Sequence, residues 1–275
     1  MRRVAQALDW ALALGLDRLD AQVLMAHAVG RTREWVIAHD QDDLPQAQWG
    51  EYSGHCQRRS VGVPLAYLTG WREFHGLQFE VTPDVLIPRP DTEVLVDWAL
   101  ELIDKGFMHR PSPTVVELGT GSGAIAVTLA FRRPHCAVAA TDISAAALAV
   151  AQRNASRIQV ELETAQGNWW QPLDRRVFDL VVANPPYIAA GDAHLANLTY
   201  EPRSALCPEQ GALADLTLIV AGAAAHIHQG GWLLLEHGFD QAAEVSALLE
   251  LAGFGQVESR QDLSGRPRCT GGCRP

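Results

Sequence analysis

The residues with the clearest capacity for chemistry are Asn184, Pro185, Pro186 and Tyr187, which follow an apolar, β-branched stretch at residues 178–183. Such a stretch is typical of a buried strand. The two prolines carry no N–H group, so the strand must end at Asn184 and the chain beyond it is stiff. One carboxamide and the neighbouring carbonyl oxygens are therefore held at a strand end, where open α/β sheets bind ligands. Taken alone, the pattern also fits an ordinary proline-rich turn.

A second strand end lies upstream. Residues 114–118 have the pattern of a buried strand and lead into Gly119, Thr120, Gly121, Ser122 and Gly123, here named the glycine turn. A helical pattern follows at once, and a strand, a glycine-rich turn and a helix are typical of a nucleotide-type βαβ unit. The spacing differs from the G-x-G-x-x-G pattern that binds a pyrophosphate, so the ligand need not carry phosphates.

Three further side chains are candidates for the same ligand. Glu117, at the end of the first strand, would suit a cationic ligand. Asp142 ends the next strand, about 20 residues after the glycine turn, where an acidic residue accepts both hydroxyls of a ribose. Trp169 follows the third strand and could stack on a base. We prefer it to Trp170, and burial in the core is the alternative interpretation for either tryptophan.

These residues need a scaffold, and the pattern of the chain predicts one. Helical and strand patterns alternate from residue 94 to the end, which favours an α/β fold: a Rossmann-like sheet of about seven strands with helices on both faces. The predicted helices are 94–103, 124–131, 145–156, 213–228 and 241–251, and the predicted strands are 114–118, 137–141, 158–165, 178–183, 231–237, 256–260 and a segment near Arg268. Pro267 weakens the prediction of the last strand.

The first part of the chain has a different character. Residues 1–70 show helical periodicity and predict a small helical bundle, with Thr32 as an N-cap and with its tryptophans in the core. Residues 71–92 predict a β-hairpin around Gly76 and then a proline-rich linker, and residues 93–275 form the α/β domain. Arg89 stands between two prolines at this junction, where it either helps to shape the site or forms a solvated pair with Glu93.

Composition narrows the class of protein. The 275 residues carry a net charge of −10, which argues against direct binding of nucleic acid and suits a basic partner. We find no secretion signal and no long apolar run, so we expect a cytoplasmic protein with no membrane contact. The five cysteines are scattered along the chain and odd in number, so we expect no disulfide framework. His226 and His228 cannot share a helix face, so we predict no metal site.

Residues 117–123, Asp142 and residues 184–187 together resemble the S-adenosylmethionine-dependent methyltransferases with a Rossmann-like sheet, in the branch that methylates planar nitrogens. The helical N-terminal region and residues 68–74, 86–90 and 234–238 are similar to those of the release-factor glutamine methyltransferases. The resemblance covers nearly the whole chain. It implies an N-terminal substrate-recognition domain at residues 1–70 and a methyltransferase domain at residues 93–275.

The resemblance also implies an activity and its residues. That family methylates the side-chain amide of the glutamine in the Gly-Gly-Gln loop of peptide chain release factors, with S-adenosylmethionine as cofactor and S-adenosylhomocysteine as product. The implied cofactor contacts are Glu117, Gly119, Thr120, Gly121, Ser122, Gly123, Asp142, Trp169 and Asn184. The implied substrate contacts are Asn184, Pro185, Pro186, Tyr187 and Arg89. Asn168 stands where the family commonly has aspartate, so we assign the base contact to Trp169 alone.

A glutamine amide nitrogen is a poor nucleophile because its lone pair is delocalised. We expect the Asn184 side-chain oxygen and the Pro185 carbonyl to accept its two N–H bonds, with Tyr187 packed on the amide plane; Asn184, Pro185 and Tyr187 are thus the predicted catalytic residues. Alternative substrates are a glutamine of a ribosomal protein, or an exocyclic amine of adenine or guanine in nucleic acid, which the acidic charge disfavours. A non-catalytic scaffold is disfavoured because both motifs are intact. We expect a monomer.

Overall fold

A computed structural model describes residues 2–107 and 109–275. The chain divides into two compact units, one that ends at Trp71 and one that begins at Arg72. Most of the segment predicted as a hairpin and linker therefore belongs to the second unit. Each unit has its own hydrophobic core.

The N-terminal unit is helical, as its periodicity predicts. Asp17 and Thr32 cap the second and third helices by accepting the backbone N–H groups of Asp20 and Trp35. Trp10 and Trp49 meet edge to face with ring centroids 4.8 Å apart, at the border of the core. The elements are β1 (Arg2–Arg3), α1 (Val4–Ala13), α2 (Arg18–Val29), α3 (Arg33–Ala38), β2 (Asp43–Leu44), α4 (Gln46–Ser60) and α5 (Leu65–Thr69).

The second unit begins with a hairpin around Gly76, as predicted, and continues as an alternating α/β chain. Phe74 and Phe79 of the hairpin are buried in its core. The elements are β3 (Trp71–Phe74), β4 (Leu77–Glu80), α6 (Glu93–Gly106), β5 (Thr114–Leu118), α7 (Ala124–Arg132), β6 (Ala137–Asp142), α8 (Ala145–Ile158), β7 (Glu163–Gln166), β8 (Phe178–Ala183), α9 (Ala214–His226), β9 (Ile227–Glu236), α10 (Ala242–Leu251), β10 (Gly255–Gln261) and β11 (Pro267–Cys273).

The main sheet has seven strands in the order β10-β11-β9-β8-β5-β6-β7, and the predicted α/β fold is confirmed. The ladders between β7, β6, β5, β8 and β9 are parallel, whereas β11 runs antiparallel to both of its neighbours. Helices cover both faces. Leu180 and Val182 of β8 point into one core cluster, and Val181 and Ala183 point into the other, which explains why this strand reads as one continuous apolar run.

Two sequence predictions were wrong in detail, and a third was confirmed despite the signal against it. The predicted helix over 213–228 ends at His226, and the chain then continues directly as β9. The predicted strand over 158–165 is only β7, because Ile158 completes α8. β11 is a full seven-residue strand that tolerates Pro267 at its first position, where a missing N–H costs little.

Gly271 shows why β11 can lie inside the sheet. A Cβ atom at this position would lie 2.4 Å from a Leu234 methyl carbon and 2.8 Å from the Trp98 ring. Only glycine leaves room for that packing. In the described part of the chain, helices are too short or too polar to cross a membrane.

Candidate active site

The ends of β5, β6 and β8 meet at one edge of the sheet. Leu118 lies opposite Ala183 in the β5–β8 ladder and opposite Thr141 in the β5–β6 ladder. The glycine turn, Asp142 and residues 184–187, here named the proline segment, therefore start side by side. β6 and β8 lie on opposite sides of β5, so the order of the strands reverses at β5. Ligands bind at such a switch point in open α/β sheets.

A cavity of about 990 Å³ opens at this edge, a volume suited to a small-molecule cofactor and part of a second substrate. Its wall includes most of the residues predicted from the sequence: Arg89, Glu117, Gly119, Thr120, Gly121, Ser122, Asp142, Trp169, Asn184 and Pro186. Gly123, Pro185 and Tyr187 were also predicted, and each is a chain neighbour of a lining residue without belonging to the described lining. Gly123 instead starts α7, with a φ of +80° and close packing on Ala151.

The glycine turn adopts the conformation that its composition predicts. Gly119 and Gly121 have φ values of +72° and +54°, a region that residues with a Cβ atom rarely adopt. The Trp169 ring lies directly over Gly119, where a Cβ atom would come within 3.1 Å of it. Gly121 has open space above it. The backbone is thus exposed to the cavity on one side of the turn and covered by an indole on the other.

Glu117 lies behind the glycine turn and is 2% exposed. Its Oε2 accepts hydrogen bonds from the Thr120 hydroxyl at 2.6 Å and from the Ala126 backbone N–H at 2.9 Å, so the carboxylate holds the turn against α7. Burial raises the pKa of Glu117 to about 8, and the nearby Asp142 adds to the rise. A neighbouring positive charge stabilises the charged form of an acidic group that is buried in this way.

Asp142 binds both flanking backbones. Its Oδ2 accepts the Gly121 N–H at 2.8 Å and its Oδ1 accepts the Ser144 N–H at 2.8 Å. Burial raises its pKa, although these backbone N–H groups oppose the effect. A carboxylate oxygen has lone pairs beyond those used here, so Asp142 can still accept hydroxyl groups from a ligand in the cavity.

The two adjacent tryptophans have different environments. Trp169 has a φ of +44°, which is uncommon for a residue with a side chain, and its indole lines the cavity and hydrogen-bonds with the Asp215 carboxylate. Trp170 instead stacks on His226 at 4.8 Å and donates its indole N–H to the Ile219 carbonyl. Trp170 is thus a core residue, and Trp169 is available to a bound ring. Sequence reasoning missed Asp215, which carries no motif.

The proline segment forms the opposite wall of the cavity. Asn184 is half-buried and donates from Nδ2 to the Thr92 hydroxyl oxygen at 3.3 Å. Pro185 is buried. Tyr187 lies behind the wall: its hydroxyl donates to Glu236 Oε1 at 3.2 Å, and its backbone oxygen accepts from Gln241 Nε2 at 3.2 Å. The stiff segment is therefore held from behind by side chains as well as by its prolines.

Glu236 was not singled out by sequence reasoning. It ends β9, is 1% exposed, and faces Tyr187 and Thr92. Burial raises the pKa of Glu236 to about 7, although the Thr92 hydroxyl, Arg268 and Tyr187 all oppose the rise. A usable signal was present, because Glu236 ends an apolar strand in the same way as Glu117 does.

Arg89 is already paired with another side chain of the protein. Its guanidinium forms an ion pair with Glu201, whose side chain is 3% exposed, and Glu201 also accepts the Ile87 backbone N–H at 3.1 Å. The pair ties the linker to the segment between β8 and α9. Both parts line the cavity, so Arg89 shapes the wall. Glu201 lies in irregular chain, where periodicity gives no signal.

One further cluster has side chains that metals favour. Donor atoms of His27, Glu51 and His55 lie within 4.8 Å of one another in the N-terminal unit, and two of these residues form a 3.8 Å ion pair. Burial, together with His27, lowers the pKa of His55. Since the residues come from two helices, the sequence spacing did not reveal them.

The chain matches two family models. Residues 93–246 match the methyltransferase small domain, and residues 5–70 match the PrmC N-terminal domain. Among solved structures, the hMettl16 catalytic domain aligns with a TM-score of 0.58 and 16% identity over 80% of this chain and 81% of that one. A 16S rRNA N2 G1207 methyltransferase of T. Thermophilus gives a TM-score of 0.55 and 20% identity over 74% and 51%. These likenesses show the fold, and with the matched family model they define a Rossmann-like methyltransferase.

Curated relatives narrow the class. The release factor glutamine methyltransferase of Bordetella pertussis is 49% identical over 263 residues, covering 94% of this chain and 95% of the relative. That of Burkholderia pseudomallei is 49% identical over 280 residues, covering 98% and 97%. This chain belongs to the release factor glutamine methyltransferase family.

The residues around the cavity fit S-adenosylmethionine, the methyl donor of such an enzyme. Positive-φ glycines leave the backbone open to a ligand at Gly121, Asp142 offers carboxylate oxygens, and the Trp169 indole offers a flat apolar face. A bound sulfonium cation would also favour the charged form of the buried Glu117 and would be favoured by the Asp142 carboxylate.

Proposed function

We propose that this protein methylates the side-chain amide nitrogen of the glutamine in the Gly-Gly-Gln loop of peptide chain release factors. The observation that supports this most is one cavity with two unlike walls: a glycine turn flanked by Glu117 and Asp142, and a proline segment that offers neutral acceptors. Family membership supports the choice of a release factor. S-adenosylmethionine supplies an electrophilic methyl group, and S-adenosylhomocysteine is the product.

On the cofactor side, the glycine turn gives the backbone close access, Asp142 accepts the ribose hydroxyls and Trp169 stacks on the adenine. Glu117 keeps the turn in shape through Thr120 and Ala126. Its buried carboxyl is stabilised in the charged form when a cation occupies the cavity. The role of these residues is to bind and orient the donor.

On the substrate side, the task is to localise the lone pair of an amide nitrogen. Asn184 Oδ1 and the Pro185 carbonyl oxygen accept the two N–H bonds, which favours a pyramidal nitrogen whose lone pair is free to attack. Acceptors that are already in place require no reorganisation during the reaction. Positioning of two reactants can contribute up to about 7–11 kcal/mol, so no general base is needed before attack. As the nitrogen–methyl bond forms, the methyl–sulfur bond breaks and S-adenosylhomocysteine leaves; the nitrogen, now cationic, then loses its proton. The Tyr187 hydroxyl donates to Glu236 and so supports the segment from behind, and the packing of its ring on the substrate amide plane stays a prediction.

The remaining assignments follow from charge and organisation. We propose that the N-terminal helical unit, residues 1–70, recognises the release factor, and that the methyltransferase domain spans residues 93–275. The net charge of −10 suits a basic partner and disfavours direct binding of nucleic acid. We further propose that the enzyme acts as a monomer in the cytoplasm, without membrane contact.

The test is to incubate the protein with methyl-labelled S-adenosylmethionine and a purified release factor, and to map the label by mass spectrometry. We expect one methyl group on the glutamine of the Gly-Gly-Gln loop. The matched control is a release factor in which that glutamine is replaced by alanine, which should take up no label. Label on a ribosomal protein, on the adenine or guanine of a nucleic acid, or on another release-factor residue would overturn the proposal.

A further inference from the structure

The orientation of the Asn184 carboxamide decides whether the proposed mechanism can work. If its oxygen faces the cavity it accepts a substrate N–H, whereas a reversed amide would offer a second donor and repel it. Nothing in the Asn-Pro-Pro-Tyr sequence selects one orientation. The residues around Asn184 do so, and they lie outside the motif.

Thr92 is the partner that holds the amide nitrogen. Asn184 Nδ2 donates to Thr92 Oγ1 at 3.3 Å, and Thr92 is 4% exposed. A threonine hydroxyl carries one proton, and it can accept from Asn184 while donating that proton elsewhere. The direction of the Thr92 O–H bond therefore depends on which group lies on the side of Thr92 away from Asn184.

On that side is Glu236, a buried carboxyl group at the end of β9 that the Thr92 hydroxyl faces. When Glu236 is ionised its carboxylate only accepts, so Thr92 then donates to Glu236 and accepts from Asn184. Among the described residues Glu236 Oε2 has no partner at normal hydrogen-bond geometry, so the contact between Thr92 and Glu236 is looser than a full hydrogen bond. Catalytic hydrogen bonds are often long before substrate binds.

We propose that Glu236 and Thr92 are positioning residues, which set the direction of a hydrogen-bond chain and so turn the Asn184 oxygen toward the substrate. This inference rests on the proposed function. The same carboxylate also accepts the Tyr187 hydroxyl at Oε1, so Glu236 holds both ends of the proline segment. Glu236 does not line the cavity, whereas Thr92 lines it but is only 4% exposed, so both residues are assigned to act through Asn184.

A pair of substitutions at Thr92 tests the chain. Thr92→Val keeps the shape and removes the hydroxyl, whereas Thr92→Ser keeps the hydroxyl. We expect Thr92→Val to lower kcat about tenfold, as the loss of one hydrogen bond does, with the Kd of S-adenosylmethionine unchanged in calorimetry. Thr92→Ser should restore kcat to within about threefold of the original protein.

A double-mutant cycle separates positioning from general damage. In an Asn184→Ala background there is no carboxamide left to orient, so Thr92→Val should then change kcat by less than about twofold. Glu236→Gln should likewise lower kcat in the original protein and change it much less in the Asn184→Ala background. Equal losses with and without Asn184, or a Thr92→Ser variant as poor as Thr92→Val, would overturn the inference. If instead the unmodified enzyme does not label the glutamine at all, the proposed function fails first.

Discussion

The two walls of the cavity are built on opposite principles. The glycine turn after β5 uses residues without side chains, which let the backbone fold sharply and come close to a ligand. The proline segment after β8 uses residues that lack an N–H and have little freedom. One wall offers charge and the other offers neutral carbonyl acceptors. Under the proposed function, the cofactor is therefore bound through backbone access and charge, and the substrate amide through stiffly held acceptors.

The two walls nevertheless share one device. Each is backed by a buried glutamate at a strand end, Glu117 on β5 and Glu236 on β9, and each glutamate interacts with a threonine hydroxyl, Thr120 or Thr92. Glu117 also binds a helix N–H, whereas Glu236 also binds the Tyr187 hydroxyl. A buried carboxylate fixes the direction of its donors, so both walls gain rigidity from groups that do not need to touch the ligand.

The largest expected effect is at the proline segment. Asn184→Ala should lower kcat by about a hundredfold or more, because one preorganised acceptor is lost. The Kd of S-adenosylmethionine should stay near its original value in calorimetry, since Asn184 is assigned mainly to the substrate wall. Near-normal turnover would remove Asn184 from the mechanism, and a large loss of cofactor affinity would remove the distinction between the walls.

Beside the glycine turn we expect the opposite result, a large loss of cofactor affinity with a small change in kcat. Asp142→Ala removes an acceptor from the cavity and from two backbone N–H groups, so cofactor affinity should fall about 10–100-fold. At saturating cofactor, kcat should fall much less. Measuring Kd and kcat for Asp142→Ala and Asn184→Ala side by side checks the division of labour, which a parallel loss of both quantities would contradict.

A smaller effect on stability is expected from the Arg89–Glu201 pair. Arg89→Ala leaves Glu201 buried without its cation, while Arg89 itself is 34% exposed by side chain and partly screened. We expect urea unfolding to show a loss of about 1–3 kcal/mol. Arg89→Lys keeps the charge and should lose less. If Arg89→Ala is fully stable but binds the release factor poorly, Arg89 is a direct substrate contact instead.

A further expected effect is on the pH dependence of stability. Burial raises the pKa of Glu236 to about 7 and of Glu117 to about 8, each from an ordinary value of 4.5. The folded state thus holds protons that the unfolded chain has released, so the contribution of each group is complete below its unfolded pKa and is lost as pH rises through its folded pKa. Relative to the original protein, Glu236→Gln and Glu117→Gln should gain stability between about pH 5 and 8, measured by urea unfolding. If the free energy of unfolding of each variant changes with pH in parallel with that of the original protein, the prediction is wrong.

Much of the fold was predictable because it is locally encoded. The hairpin around Gly76, the strand and helix that flank the glycine turn, and β8 all carry their pattern within a few residues. The error in β9, and the doubt that Pro267 raised about β11, fell where local pattern and tertiary pairing compete. β9 extends back to Ile227 because it pairs with β8 there, and β11 forms although Pro267 begins it, because it fills the space beside β9.

The sequence by itself determined the chemistry of both walls: glycines that permit positive φ, an acidic residue at each of two strand ends, and prolines that stop β8 at Asn184. Only the tertiary structure decided which groups support them. Glu201, Glu236, Thr92 and Asp215 lie far along the chain from the motifs that they contact, and they meet them only because parallel strands bring their ends to one edge. The direction of the Asn184 amide belongs to this second group, since a carboxamide is chemically ambiguous until a neighbour donates or accepts.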